Sequence, residues 1–368
     1  RYFKKRENMK RKLFLSLLFL SNISYASYKY EIIVEDLDDA WSMVFIDENT
    51  ILFTELPGNL KILNLLDKSI TNIANTPKVH YASQGGLSEV ILDPEFKSNN
   101  KIYLSYSAKN KNNKSTLFLS SAELNNDRLE NQKVIFEAIA PRRTSVHLGA
   151  KIAFMQDGTL LLNSGDGFDH REKAQYLDNH FGKIIRINTD GTVPQDNPFI
   201  NTAGALPEIY SYGHRNMQGL IVTSSGDIYE NEHGPKGGDE MNLIKPSLNY
   251  GWPAITYGID YSGAVISPFT EKEGMEQPLL HWTPSIAPSD MVYYEDNLYP
   301  EFTGSFLVTA LVSKDVKKVI FVNGVDKQES LFSDLNERLR NIEISPAGFI
   351  YLLTDGPGGK LIKVLPQE

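Results

Sequence analysis

The sequence predicts an all-β fold, a six-bladed β-propeller of four-stranded antiparallel blades. Three observations lead there. A phrase made of alternating apolar residues, a turn with Asp, Asn or Gly, and a second alternating run returns six times. Such period-2 alternation between turn formers is the mark of hairpins. Helical periodicity is scarce after residue 26. Six copies over about 340 residues leave roughly 57 each, room for four short strands, and radial repetition of such sheets protects their edges. A β-sandwich has no reason to repeat six-fold, and β-helix rungs are shorter.

The copies follow in chain order: WSMVFIDENTILFTE (41–55), LSEVILDPEFKSNNKIYLSYS (87–107) and GAKIAFMQDGTLLLNSGDG (149–167), then GLIVTSSGDIYENEHG (219–234), SDMVYYEDNLYPEFTGSFLVTAL (289–311) and RNIEISPAGFIYLLTDGPGG (340–359). Turns such as Asp157-Gly158 and Ser225-Gly226 supply the positive φ of tight hairpins. The second run of a copy tends to end in a polar, Gly-rich tail: TELPG, NSGDG, NEHGP, TDGPGG. If these runs are equivalent strands, their tails gather on one face around the axis, where distant residues converge.

The N-terminal residues read differently. Lys10, Arg11 and Lys12 precede an apolar run over 13–20 and a small-residue end at Ala26. This is the pattern of a Sec signal peptide over 1–26, with residues 1–8 ahead of Met9 reading as an over-extended frame. The run is short for a membrane span. The expectation is a periplasmic or secreted chain, 27–368, forming one propeller domain without stable membrane insertion; a retained anchor is the alternative. The absence of cysteine excludes disulfides and a lipid-modified N-terminal cysteine. Residues 1–12 hold seven Lys/Arg and one Glu, so 27–368 carry 30 basic and 45 acidic groups, a net charge of −15. That balance argues against nucleic-acid binding. Both a monomer and a homodimer are compatible with the sequence.

Several groups could carry chemistry. His147, just before a strand in TSVHLGAKIAF, is either structural or a base for a substrate hydroxyl; Gly149 beside it permits close backbone packing. Gln84, in ASQGGLSEV, is either a turn residue or an amide that orients a hydroxylated ligand. In His214-Arg215-Asn216, expected to close a strand, a guanidinium fork and an amide can meet ligand oxygens, or pair with nearby carboxylates and cap a turn. In NEHGPKGGDE, the carbonyls of Gly234 and Pro235 and the carboxylates of Asp239 and Glu240 are hard donors for Ca²⁺ or Mg²⁺. Arg338 and Arg340 alternate on an apparent strand, so both face one way and suit a ligand with several carboxylates, unless they are merely solvated. Walker, G-x-S-x-G, H-E-x-x-H and dinucleotide motifs are missing.

Long segments, in order, carry a resemblance: QGGLSEVILDPEF, HLGAKIAF, LDNHFGKIIRINTDGTVPQDNPF, LPEIYSYGHRNMQGL, ENEHGPKGGDEMNLIKPSLNYGWP, YGIDYSG and ERLRNIEISPAGFIYLLTD. The chain resembles the soluble, PQQ-dependent aldose sugar dehydrogenases of the glucose/sorbosone dehydrogenase family. The resemblance implies oxidation of an aldose at C1 to a lactone and delivery of electrons to an external acceptor. His147 would be the general base, with Arg215 and Asn216 near the reacting quinone oxygen and Gln84 at sugar and cofactor. Gly234 and Pro235 would give carbonyls to the catalytic Ca²⁺, and Glu240 and Tyr250 would serve a further, structural one. Tyr261, Arg338 and Arg340 would contact PQQ. Two departures stand out. Val312 occupies the place of a usual lysine, leaving Lys314 as the nearest substitute, and Lys151 replaces an arginine. The alternatives are a calcium-dependent propeller lactonase and a non-catalytic carbohydrate- or protein-binding propeller.

Overall fold

The structure, a computed structural model, describes residues 28–367. The expected signal peptide lies outside the described residues. Six four-stranded antiparallel sheets make up the fold. Each recurring phrase supplies the first two strands of one blade. In blades 1 to 3 these are Ala40–Asp47 with Thr50–Glu55, Leu87–Leu92 with Lys101–Lys109, and Gly149–Phe154 with Leu160–Ser164. In blades 4 to 6 they are Asn216–Val222 with Ile228–His233, Pro288–Tyr294 with Ser305–Ala310, and Leu339–Ile344 with Ile350–Thr354. The hairpin glycines take the expected conformation, with φ +82° at Gly158 and +87° at Gly226.

The first strand of each blade packs against the first strands of its neighbours, which makes it the innermost. Apolar clusters then fill the blade-to-blade interfaces. One holds Leu161, Ile184 and Tyr210 of blade 3 against Met217, Leu220 and Ile228 of blade 4. Another sets Met241 and Trp282 of blade 4 against Met291 and Phe306 of blade 5. Blade 6 takes its outermost strand from the other end of the described chain: Lys29–Asp38 pairs with Pro357–Leu365, from Lys29 opposite Leu365 to Asp38 opposite Pro357.

All six inner hairpins share an irregularity. The register between first and second strand shifts near the start of the first, for example between Gly149 and Ile152, Met217 and Gly219, and Leu339 and Asn341. A bulge there turns side chains out of strict alternation. These shifts lie at the end of each blade where the Gly-rich tails leave the second strand, so they shape one face of the ring.

Polar side chains meet on the axis below that face. Buried Lys151 of blade 3 reaches Glu89 of blade 2 and Asp290 of blade 5, both at 2.9 Å. Ser42 of blade 1 donates to Glu89, and Asn341 of blade 6 donates to Asp290. Lys151 is thus an axial cation linking blades. Among the described residues no helix is long and apolar enough to cross a membrane.

Candidate active site

His147 sits at the start of the inner hairpin of blade 3, with a backbone few residues accept. Its φ is +47°, a left-handed conformation uncommon outside glycine. Neighbours hold it there: the backbone N–H of His147 donates to Gln84 Oε1 at 2.8 Å, and Arg142 Nη1 donates to its carbonyl at 2.9 Å. Gly165 lies against the same carbonyl, so closely that a Cβ there would come within 2.2 Å of it. Gly149 is also required, since its φ is +73° and a Cβ would meet Asn163 Oδ1 at 2.7 Å.

The imidazole has one fixed side. Its Nδ1 is 2.7 Å from Asp166 Oδ1, and Trp252 Nε1 donates to Asp166 Oδ2 at 2.7 Å. Burial alone would raise the Asp166 pKa, but His147 and Arg215 outweigh it and the pKa is lowered. An ionised Asp166 can only accept, so Nδ1 carries the hydrogen and Nε2 keeps its lone pair. Burial lowers the His147 pKa, Asp166 opposes it, and Arg215 and Arg142 reinforce it, for a net fall. The ring is therefore neutral near pH 7. It borders a cavity of ≈ 400 Å³ together with Phe168, Arg215, Pro235, Trp252 and Tyr261.

The His214-Arg215-Asn216 run does not close a strand. It leads from blade 3 into blade 4, and Asn216 opens the innermost strand of blade 4. The Arg215 guanidinium lies over the Trp252 ring at 5.3 Å, and its Nη1 donates to the His233 carbonyl at 2.9 Å. Its Nε is buried without a hydrogen-bond partner. Asn216 borders a second cavity of ≈ 370 Å³ beside Gln84, Gln218, His233, Val312, Arg338 and Arg340. His214 is fully buried and stacks on Tyr250, away from both cavities.

Arg338 lies one residue ahead of its strand, whereas Arg340 is within it. Both guanidiniums meet Asp355: Arg338 Nη2 donates to Oδ2 at 2.8 Å and Arg340 Nη2 to Oδ1 at 2.6 Å. Asp355 thus serves both guanidiniums, and Asp39 is a second carboxylate at the border of the same cavity. Lys314 is turned elsewhere, its Nζ bonded to the backbone and side-chain oxygens of Asn336, both at 3.2 Å. Val312 borders the cavity instead, 61% exposed.

Gly234 and Pro235 border a third cavity of ≈ 640 Å³, which shares Pro235 and Tyr261 with the first and His233 and Val312 with the second. Among the described residues no hydrogen bond ends on either carbonyl. Asp239, read from the sequence as a metal donor, has another task. Its Oδ1 accepts from the Gly234 N–H at 2.9 Å, and its Oδ2 accepts from Ser285 Oγ and the N–H groups of Ile286 and Ala287. It shapes the loop that presents the carbonyls. Glu240 is opposite Glu232 in the sheet of blade 4. The Tyr250 hydroxyl is bonded to the backbone of Lys245 and Leu243, so only its carbonyl is available as a donor.

A family model described as Glucose / Sorbosone dehydrogenase matches residues 37–363. The chain belongs to the glucose/sorbosone dehydrogenase family. It is 35% identical over 352 residues to the aldose sugar dehydrogenase YliI of Escherichia coli K12, covering 93% of this chain and 94% of that protein. A solved glucose dehydrogenase superposes with a TM-score of 0.88 at 38% identity, over 92% of this chain and all of that one. The PQQ-bound aldose sugar dehydrogenase of Streptomyces coelicolor shares the fold, with a TM-score of 0.75 at 22% identity over 93% and 99%. The chain is thus an enzyme of a sugar dehydrogenase family.

Within this dehydrogenase, sequence reasoning missed Asp166, Trp252, His233 and Asp355. A signal was present for two of them. Asp166 and Asp355 stand in the Gly-rich tails after the second strands of blades 3 and 6, the positions expected to converge. Trp252 gave no such signal, since its role depends on Asp166, 86 residues away.

Proposed function

We propose that this protein oxidises aldoses at the C1 hydroxyl to the lactone, using PQQ and Ca²⁺, and passes the electrons to an external acceptor. The observation that carries this reading is His147: neutral, its tautomer set by Asp166, its free nitrogen at a cavity beside the buried Arg215. The residues fit the cofactors. PQQ is a planar tricarboxylate, and the adjoining cavities are bordered by four arginines, Arg171, Arg215, Arg338 and Arg340, of which Arg215 has an unpartnered buried N–H. The two Gly234-Pro235 carbonyls are uncommitted hard donors of the kind Ca²⁺ takes. Arg338 and Arg340 would hold carboxylates of the cofactor, Arg215 and Asn216 its reacting edge, and Tyr261 a face at the mouth. When bound, PQQ supplies the acceptor for the C1 hydride, and Ca²⁺ acts on it as a Lewis acid.

His147 Nε2 takes the proton of the C1 hydroxyl as the C1–O bond becomes a carbonyl. Asp166 stabilises the imidazolium that results, and Trp252 keeps that carboxylate in place. Arg215 offers positive charge where negative charge develops. Gln84 holds the His147 backbone from the cavity side, which makes it a positioning residue in this reading. Residues 1–26 would direct export to the periplasm; the N-terminal sequence of the secreted chain checks this.

Reconstitution of the purified chain with PQQ and Ca²⁺, followed by dye reduction with glucose and other aldoses, tests the activity. Sugar-dependent reduction that needs both cofactors is the expected result. Lactone hydrolysis without PQQ, or no reduction at any cofactor concentration, would sink the proposal.

A further inference from the structure

A second group of ligating side chains lies inside blade 4, beneath the candidate active site. Glu230 and Glu232 project from one face of Ile228–His233, and the strand Asp239–Ile244 sets Asn242 opposite Glu230 and Glu240 opposite Glu232. His214 faces this group from the joint between blades 3 and 4. Its ring stacks on Tyr250 with centroids 4.6 Å apart, and its Nε2 is bonded to Ser211 Oγ at 2.9 Å. Nδ1 is left turned toward the carboxylates, 3.7 Å from Glu230 Oε1 and 3.7 Å from Glu232 Oε2.

The group is rich in acceptors and poor in donors. Glu230 Oε1 accepts from Asn242 Nδ2 at 2.8 Å, and Glu232 Oε2 accepts from the Arg215 N–H at 2.8 Å. Three further atoms here have no hydrogen-bond partner although buried: His214 Nδ1, Glu230 Oε2 and Asn242 Oδ1. The two oxygens are acceptors that a cation would satisfy, and so is Nδ1 when Nε2 carries the ring hydrogen toward Ser211 Oγ. An unpaired acceptor in the interior is strongly unfavourable, and two buried carboxylates repel.

We propose that His214, Glu230 and Glu232 bind a divalent transition-metal ion of the Zn²⁺ or Mn²⁺ class. One ligand atom from each residue falls within 4.8 Å of the other two. A triangle of that size centres about 2.1–2.4 Å from its corners, the length of a bond from imidazole nitrogen or carboxylate oxygen to such an ion. The imidazole sets the chemistry: nitrogen with carboxylate oxygen suits zinc or manganese, whereas the all-oxygen Gly234-Pro235 pair suits calcium. The two sites therefore differ in metal as well as place. All three ligands are buried, so the ion enters as the blade folds and braces the joint that carries Arg215.

The test uses the full chain, unfolded in denaturant with a chelator and refolded with Zn²⁺, Mn²⁺ or Ca²⁺ alone. After desalting, Zn²⁺ or Mn²⁺ is expected to remain in stoichiometric amount and to raise the unfolding midpoint. The retained Mn²⁺ should show ¹⁴N coupling in its electron spin-echo spectrum. His214→Gln should remove that coupling, and Glu230→Gln should abolish retention. If the variants do not refold, the coupling in the wild-type chain decides. Retention of Ca²⁺ alone, absence of any retained metal, or Mn²⁺ without nitrogen coupling would overturn the assignment and leave the cluster as carboxyl groups sharing protons.

Discussion

At the scale of single residues, the proposed chemistry rests on which nitrogen of His147 is free. Asp166→Asn keeps the shape but offers an amide that no longer dictates the tautomer, so kcat should fall about 10²- to 10⁴-fold while PQQ titration is unchanged. Loss of PQQ binding instead would make Asp166 part of the cofactor seat. The pH dependence follows from the lowered His147 pKa, caused first by burial and then by the nearby guanidiniums. Protonation below that pKa removes the base. The acid limb of kcat/KM should thus have its midpoint below the ordinary 6.5, with a plateau at neutral pH; a midpoint above 6.5 would contradict the environment described. Val312→Lys places an amine where a side chain already borders the second cavity, and PQQ affinity measured by titration should rise. His147, Arg215 and the Arg338–Arg340 pair were legible because such groups are unusual in strand ends. Asp166 and Asp355 stood in the tails expected to converge, but an Asp among glycines reads as a turn until its partners are known.

At the scale of elements, the NEHGPKGGDE loop owes its form to one carboxylate. Asp239 accepts four hydrogen bonds from two segments, those of Gly234 and of Ser285 to Ala287. Asp239→Ala strands the N–H groups of Gly234 and Ile286, while that of Ala287 keeps Ser285 Oγ, and it should destabilise the fold by about 2 kcal/mol. Calcium requirement should rise with it, as dye reduction against Ca²⁺ concentration would show; an unchanged requirement would free the loop from this control. The six hairpins were legible from alternation and turn residues. The bulge at the start of each inner strand was not, since one extra residue leaves no compositional trace. Arg338 lies outside the strand, yet its carbonyl accepts from the Asp355 N–H and its guanidinium reaches the Asp355 carboxylate beside that of Arg340.

At the scale of the molecule, the ring was legible from repetition, and its axis was not. Lys151 looked like a local exchange for arginine, yet it joins Glu89 and Asp290 across blades 2, 3 and 5. Lys151→Met leaves two carboxylates buried without their cation, and denaturant unfolding should show a loss of about 3–5 kcal/mol. A change under about 1 kcal/mol would mean that water already screens the axis. The closure of blade 6 has a different consequence, one of timing. The strand that begins at Lys29 must wait for its partner ending at Leu365. Until Pro357–Leu365 is available the ring has a gap, with an unpaired strand edge on either side. A chain that stops short of Pro357 can assemble individual blades, but the closed cylinder, with its shared face, forms only once Pro357–Leu365 is present.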